Sequence, residues 1–129
     1  MTQENGSDRA SEKILYMLTK AGENPELAIL PFMHAVGALT MDVEAVVVLM
    51  ANSVRLAERG YAASVSAHGS PALKEVMDQF FELGGKMLLC TPCLKGRKIA
   101  EEDLVEGAEL IAAARFTQEV LDADAVLSY

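Results

Sequence analysis

Tryptophan is absent from this 129-residue chain, and only four phenylalanines and three tyrosines accompany its aliphatic side chains. Packing therefore falls to Ala, Val, Leu and Met. Cations are scarce: eleven Lys and Arg stand against nineteen Asp and Glu, a formal charge of −8. That balance speaks against a nucleic-acid binder, which carries a basic face. Cysteine is scarcer still, and the two present, Cys90 and Cys93, lie three apart. Such a pair cannot staple a fold, so its meaning is chemical or incidental. No uninterrupted apolar run approaches the ~20 residues of a membrane span. The greasiest region, Leu27 to Ala51, is broken by Pro31, His34, Asp42 and Glu44. Met1 to Glu12 is polar and has no apolar leader core. A cytoplasmic protein without a membrane span is expected. There is no phosphate-cradling Gly loop, no Ser-His-Asp set in usable context and no framed carboxylate pair. No cofactor and no metal centre is expected.

What remains is half hydrophobic, 51% of the residues. A chain of this length forms one domain and buries roughly two-thirds of its unfolded surface without disulfides or metal. Residues 1–11 are polar and read as a frayed tail ahead of a single domain over 12–129.

Ile14 to Leu18 and Ala45 to Met50 are continuous apolar runs, the signature of strands covered on both faces. Asn24-Pro25 is a helix start, with Asn as cap and Pro in the first turn. Pro31 then predicts either a kink or the true beginning of the helix. Phe32 to Met41 is apolar nearly all round, which predicts one face on the sheet and another on a partner subunit. Val54 to Glu58 reads as one or two helical turns, and Tyr61 to Gly69 as a loop. Ser70-Pro71 opens a helix in which Leu73, Val76, Met77, Phe80 and Leu83 share a face and Gly84-Gly85 is the stop. Met87 to Cys90 is a third strand. Glu101-Glu102-Asp103 suits the acidic first turn of a short helix. Ala108 to Ile111 is a strand, Ala112 to Leu121 a helix, and Ala125 to Leu127 a last strand. This alternation predicts an α/β fold: a mostly parallel sheet of about five strands with helices on both faces.

The chemistry concentrates where the third strand ends. Cys90-Thr91-Pro92-Cys93 is followed by Lys95, Arg97 and Lys98, with Lys86 just before the strand's apolar core. Thr91 as helix cap and Pro92 as first residue would set both thiols at the positive end of a helical turn. Nearby cations lower a thiol's pKa, and the thiolate is the reactive form. The same surroundings would stabilise a persulfide anion and attract a small anion such as thiosulfate.

Taken together these segments resemble the DsrE/DsrF-like family of small sulfur-relay proteins. Leu30-Pro31-Phe32 with Ala35, Ala38 and Leu39, then Val46 to Leu49, look like its first helix and second strand. Val54-Arg55-Leu56 looks like the short segment after that strand. Leu83-Gly84-Gly85 leading into Leu88-Leu89-Cys90 looks like its cysteine strand, and Leu104 to Leu110 and Asp122 to Leu127 like its C-terminal pattern. The resemblance covers roughly residues 13 to 129. It implies trimers or hexamers, a persulfide on Cys90, transfer to a partner protein, and no nucleic acid. Arg97 matches a basic residue that commonly follows, and Cys93 is a second thiol found in some members. Departures fall in three places: Lys98 and Asp42 replace common glycines, and Asn52-Ser53 stands where an acidic residue and Gly are frequent.

Three readings of the cysteine turn stay open here. Cys90 is a persulfide carrier assisted by Cys93 with Arg97 as electrostatic partner; or the pair is a dithiol cycling with a disulfide; or the thiols are structural or metal-bound, or incidental in a non-enzymatic oligomeric scaffold or binding subunit. His34 reads as a hydrogen-bonded core or interface histidine, and His68 as an exposed loop residue.

Overall fold

The computed structural model describes residues 12–129; the expected tail, 1–11, lies outside the described residues. Five strands are present: β1 (Lys13–Leu18), β2 (Glu44–Leu49), β3 (Lys86–Cys90), β4 (Ala108–Ile111) and β5 (Ala125–Ser128). They interleave with α1 (Pro25–Thr40), α2 (Leu73–Glu82), α3 (Thr91–Gly96) and α4 (Ala113–Asp122). The sheet order is β4-β3-β2-β1-β5 and every pairing is parallel.

Handedness explains where the helices lie. The path β1 to β2 to β3 steps in one direction, so right-handed crossovers put α1 and α2 on the same face. The return from β4 to β5 runs the other way and carries α4 to the opposite face. Strand alternation then builds two cores. Tyr16, Leu18, Val47, Leu49, Met87 and Leu89 pack with Phe32 of α1 and Phe80 of α2. Leu15, Val46, Val48, Leu88 and Ile111 pack with Phe116 and Val120 of α4. The Phe32 and Phe80 rings meet edge to face at 5.4 Å, a geometry worth about 0.5–1.5 kcal/mol beyond simple burial.

Several local expectations are refined. Helix α1 begins at Pro25, with Asn24 Oδ1 accepting the Leu27 N–H at 3.2 Å, and runs on through Pro31. The proline ring is buried, so packing offsets the backbone bond it forgoes. The segment after β2 is a 3₁₀ helix that starts at Ala51 rather than Val54 and ends at Ala57. The expected loop over 61–69 holds a 3₁₀ turn, Ala62–Ser64, because Ala62 and Val65 are buried. Ser70-Pro71 does not open α2: the cap is Ala72, and the Leu73 N–H bonds the Val65 carbonyl instead. Glu101–Asp103 is an exposed 3₁₀ turn.

Three helices end alike. In α2 the N–H of Gly85 bonds the Phe80 carbonyl and that of Gly84 bonds Phe81, with Gly84 at φ +93°, the Schellman arrangement. The same two bonds close α1 (Val43 to Ala38, Asp42 to Leu39) and α3 (Ile99 to Leu94, Lys98 to Lys95). There the left-handed residue is Asp42 at φ +63° and Lys98 at φ +56°. Both are among the positions where the resemblance led a glycine to be expected.

Candidate functional site

In an all-parallel sheet every strand ends at the same edge, so residues distant in sequence meet there. At that edge the chain after β3 turns into α3, whose Leu94 joins the core under α1 and α2. The chain after the neighbouring β4 turns into α4 on the other face. Adjacent strands whose continuations part to opposite faces leave a crevice between them, the usual binding position in open α/β sheets. Cys90 is the last residue of β3 and stands at that crevice.

The turn is one residue out of the expected register. Cys90 itself caps α3, Thr91 is its first residue and Pro92 its second. Thr91 does not cap; its hydroxyl donates to the Ile111 carbonyl at the end of β4, 2.8 Å away, tying the two strand ends together. One helical turn brings Cys93 back over Cys90, and the two sulfurs lie 2.8 Å apart as free, half-buried thiols. On its far side the Cys93 sulfur accepts the N–H of Ala51 at 3.2 Å. Ala51 adopts φ +53°, a left-handed conformation that an alanine takes only at a cost.

The cationic cluster is looser than the sequence suggests. Lys86 opens β3 and pairs with Val46, at the other end of the strand from Cys90; four steps of about 3.3 Å separate them. Neither Lys95 nor Lys98 makes a hydrogen bond or ion pair with the cysteines among the described residues. Arg97 alone is engaged: one amino group donates to the Cys93 carbonyl at 3.2 Å, and its Nε to Asn52 Oδ1 at 3.3 Å. Asn52 is the hub here. Its Oδ1 also accepts Arg55 Nε at 3.1 Å, and its amide donates to Glu23 Oε1 at 2.9 Å. Ser53, fully buried, sets its hydroxyl 2.8 Å from the Leu18 carbonyl and 2.7 Å from that of Met50. It thereby ties the loop after β2 to the end of β1.

Burial pushes the Cys90 thiol above its ordinary pKa, and the adjoining Cys93 thiol pushes the same way. The Cys93 backbone N–H and the Arg97 guanidinium pull it down without reversing the shift. The expected depression by surrounding cations is therefore corrected: desolvation wins, because three of the four cations are not in contact.

Cys90 opens onto a cavity of about 480 Å³ on the α4 face of the sheet edge. Thr19, Val48, Met50, Pro92, Ile111 and Phe116 contribute to its walls. Sequence reading found Cys90, Cys93 and Arg97, which the fold brings together. It missed Ala51 and Asn52 as partners of that group and Phe116 as a wall. The available signal was strand polarity: Asn52 follows β2, so a parallel sheet had to deliver it to this edge.

The remaining candidates lie elsewhere. His34 is exposed on α1, not in the core, and its Nδ1 is 2.6 Å from the Tyr129 hydroxyl. His68 is an exposed loop residue, as expected. Among the described residues no group of three or more His, Cys, Asp or Glu is placed to hold a metal ion, and no helix is long and apolar enough to cross a membrane.

A parallel α/β sheet with a thiol pair at its strand-end crevice defines a small cysteine-bearing α/β protein of the open-sheet class. The chain belongs to the DsrE/DsrF-like family, which it matches over residues 12–129, a family of the general sulfur-relay type. The uncharacterized protein MJ0989 of Methanocaldococcus jannaschii is 30% identical over 117 residues, covering 91% of this chain and 99% of that one. MK0008 of Methanopyrus kandleri, likewise uncharacterized, is 27% identical over 124 residues, 96% of this chain and 99% of its own. Among solved structures, the ychN protein of E. coli superposes with a TM-score of 0.77 at 21% identity, covering 92% of this chain and 99% of that one. MTH1491 of Methanobacterium thermoautotrophicum superposes with a TM-score of 0.68 at 15% identity, covering 93% and 100%. The resemblance read from the sequence is borne out for family and fold.

Proposed function

We propose that this protein carries sulfane sulfur on Cys90 and delivers it to a partner protein. The observation that carries this reading is the position of the Cys90 thiol, at the strand-end crevice and open to a cavity, with a second thiol 2.8 Å away. In loading, the Cys90 thiolate attacks the outer sulfur of a donor persulfide; one S–S bond forms, one breaks, and the donor leaves as a thiolate. In delivery, an acceptor thiolate attacks the outer sulfur of the Cys90 persulfide and Cys90 leaves as thiolate. Arg97 favours the anionic form in both steps, as its pull on the Cys90 titration indicates. Cys93 resolves a stalled persulfide: its thiolate attacks the inner sulfur, a Cys90–Cys93 disulfide forms, and hydrosulfide departs.

The reading extends to a cytoplasmic homo-oligomer, a trimer or hexamer, with sulfurtransferase-type activity. Two free thiols suit a reducing compartment. The exposed Leu121, Val126 and Leu127 around β5 support self-association.

Intact-protein mass spectrometry after polysulfide treatment tests the carrier role. A reductant-sensitive gain of sulfur in wild type that disappears in Cys90→Ser is expected; an unchanged gain in Cys90→Ser sinks the assignment. The short sulfur–sulfur separation also favours a second reading, a dithiol–disulfide couple. That reading predicts loss of two hydrogens with no sulfur gained.

A further inference from the structure

The cavity beside Cys90 is unlike a site for an anionic sulfur donor. Among the described residues no charged side chain lines it. Its walls are aliphatic or aromatic: Val48, Met50, Pro92, Ile111 and Phe116. Thr19 is the only side-chain hydroxyl, and it already donates to the Tyr129 carbonyl at 3.2 Å. The Ala51 N–H, a natural anion donor, is turned to the Cys93 sulfur at 3.2 Å. Arg97, the nearest cation in contact with the thiol turn, is held away from the cavity by Asn52 Oδ1 and the Cys93 carbonyl. A desolvated anion without paired charge or hydrogen-bond donors is costly. Thiosulfate, which the sequence favoured, finds no charged side chain in these walls. A volume of about 480 Å³ lies within the span of small-molecule pockets.

Resting on the carrier reading above, we propose that the cavity admits uncharged catenated sulfur, as cyclic elemental sulfur or a dialkyl polysulfane, and presents its S–S bond to Cys90. With the ring, the Cys90 thiolate attacks one sulfur. A cysteinyl S–S bond forms, one ring S–S bond breaks, and its electron pair stays on the far chain end. With a dialkyl trisulfide, attack on the central sulfur expels one alkanethiolate and leaves a mixed trisulfide on Cys90. No outside oxidant or reductant enters either step, since the sulfane sulfur is itself the electron acceptor.

The test compares sulfur uptake at Cys90, by intact mass, from dissolved elemental sulfur, dipropyl trisulfide and tetrathionate, a dianionic sulfur chain. Each rate is divided by the rate of the same donor with N-acetylcysteine. Ala113→Phe narrows the cavity from an exposed position in the first turn of α4, and iodoacetamide, small enough to reach the thiol regardless, controls for intrinsic reactivity. At least one neutral donor is expected to outpace tetrathionate by about tenfold or more in wild type. Ala113→Phe should erase that preference while changing alkylation by less than about twofold. Preference for only one of the neutral donors assigns the source. Equal or faster tetrathionate uptake overturns the cavity proposal and leaves the carrier reading standing. A preference that survives in Ala113→Phe also overturns it, including when light scattering shows that the variant only alters subunit association. No uptake from any donor overturns the carrier reading and the cavity proposal with it.

Discussion

The Cys93 sulfur sits between two partners: it accepts the N–H of Ala51 at 3.2 Å and stands 2.8 Å from the sulfur of Cys90. Desolvation and the adjoining Cys93 thiol make Cys90 harder to ionise than a free cysteine. Alkylation of Cys90 by iodoacetamide, followed by mass spectrometry across pH, should rise with a midpoint above that of free cysteine. Arg97→Gln removes a charge that lowers the Cys90 pKa and should move the midpoint further up. A midpoint below the free-thiol value would contradict this balance.

The same shift has a stability consequence. A thiol whose pKa is raised on folding contributes stability that is complete below its unfolded pKa, near ~8.5, and is lost as pH rises through the folded value. Urea midpoints of wild type should therefore fall more steeply above neutrality than those of Cys90→Ser. Parallel curves would place the effect elsewhere.

Glu119 shows the opposite sign. Burial alone would raise its pKa, but Arg115, whose Nε lies 2.8 Å from Oε2, and Lys13, whose Nζ lies 3.3 Å from Oε1, hold it below the ordinary carboxylate range. The Lys13 approach is an ion pair and not a well-formed hydrogen bond, since Oε1 has no partner of hydrogen-bond geometry. Glu119 stability is present above the unfolded carboxylate pKa and lost as pH falls through the lower folded value. Glu119→Gln should cost roughly 1–3 kcal/mol at neutral pH, and the difference should vanish in acid denaturation series near pH ~2.

Asp42 and Lys98 occupy left-handed positions that glycine fills without strain. Asp42→Gly and Lys98→Gly should each raise stability by about 0.5–1 kcal/mol, the relief of strain exceeding the entropy glycine adds to the unfolded chain. Thermal melts of the two variants check this, and a loss in both would mean that the native side chains make compensating contacts.

Gly85 is required for a different reason. A Cβ there would meet the Phe80 ring at 2.3 Å. Gly85→Ala should cost about 1–3 kcal/mol through displacement of that ring. Because Phe80 packs on Phe32, the near-ultraviolet circular dichroism should change as well.

Much of this was legible in the residues. The five strands, the parallel alternation, the stop at Gly84-Gly85 and the candidate group Cys90, Cys93 and Arg97 follow from apolar runs, turn chemistry and clustering. The rest depends on what only the fold supplies. Lys86 looked close to the thiols because sequence distance ignores that a strand extends, and it ends up at the opposite sheet edge. The Cys90 pKa was expected low because charge is visible in a sequence and desolvation is not. Asn52 and Ala51 carry no local mark of their role. They matter because β2 lies beside β3 in the sheet, a pairing that the sheet order sets.

The Schellman closures of α1 and α2 both hand the chain straight into a strand, β2 and β3, at the amino edge of the sheet. Those junctions are tight and intolerant of insertion. The segments leaving the carboxyl edge, by contrast, are a turn after β1, a 3₁₀ helix after β2, the short α3 after β3 and α4 after β4. The molecule thus separates a tightly joined amino edge from a carboxyl edge that carries the thiols. Under the carrier role proposed above, lengthening the segment between Gly96 and Leu104 should change the choice of acceptor while the sheet beneath folds as before.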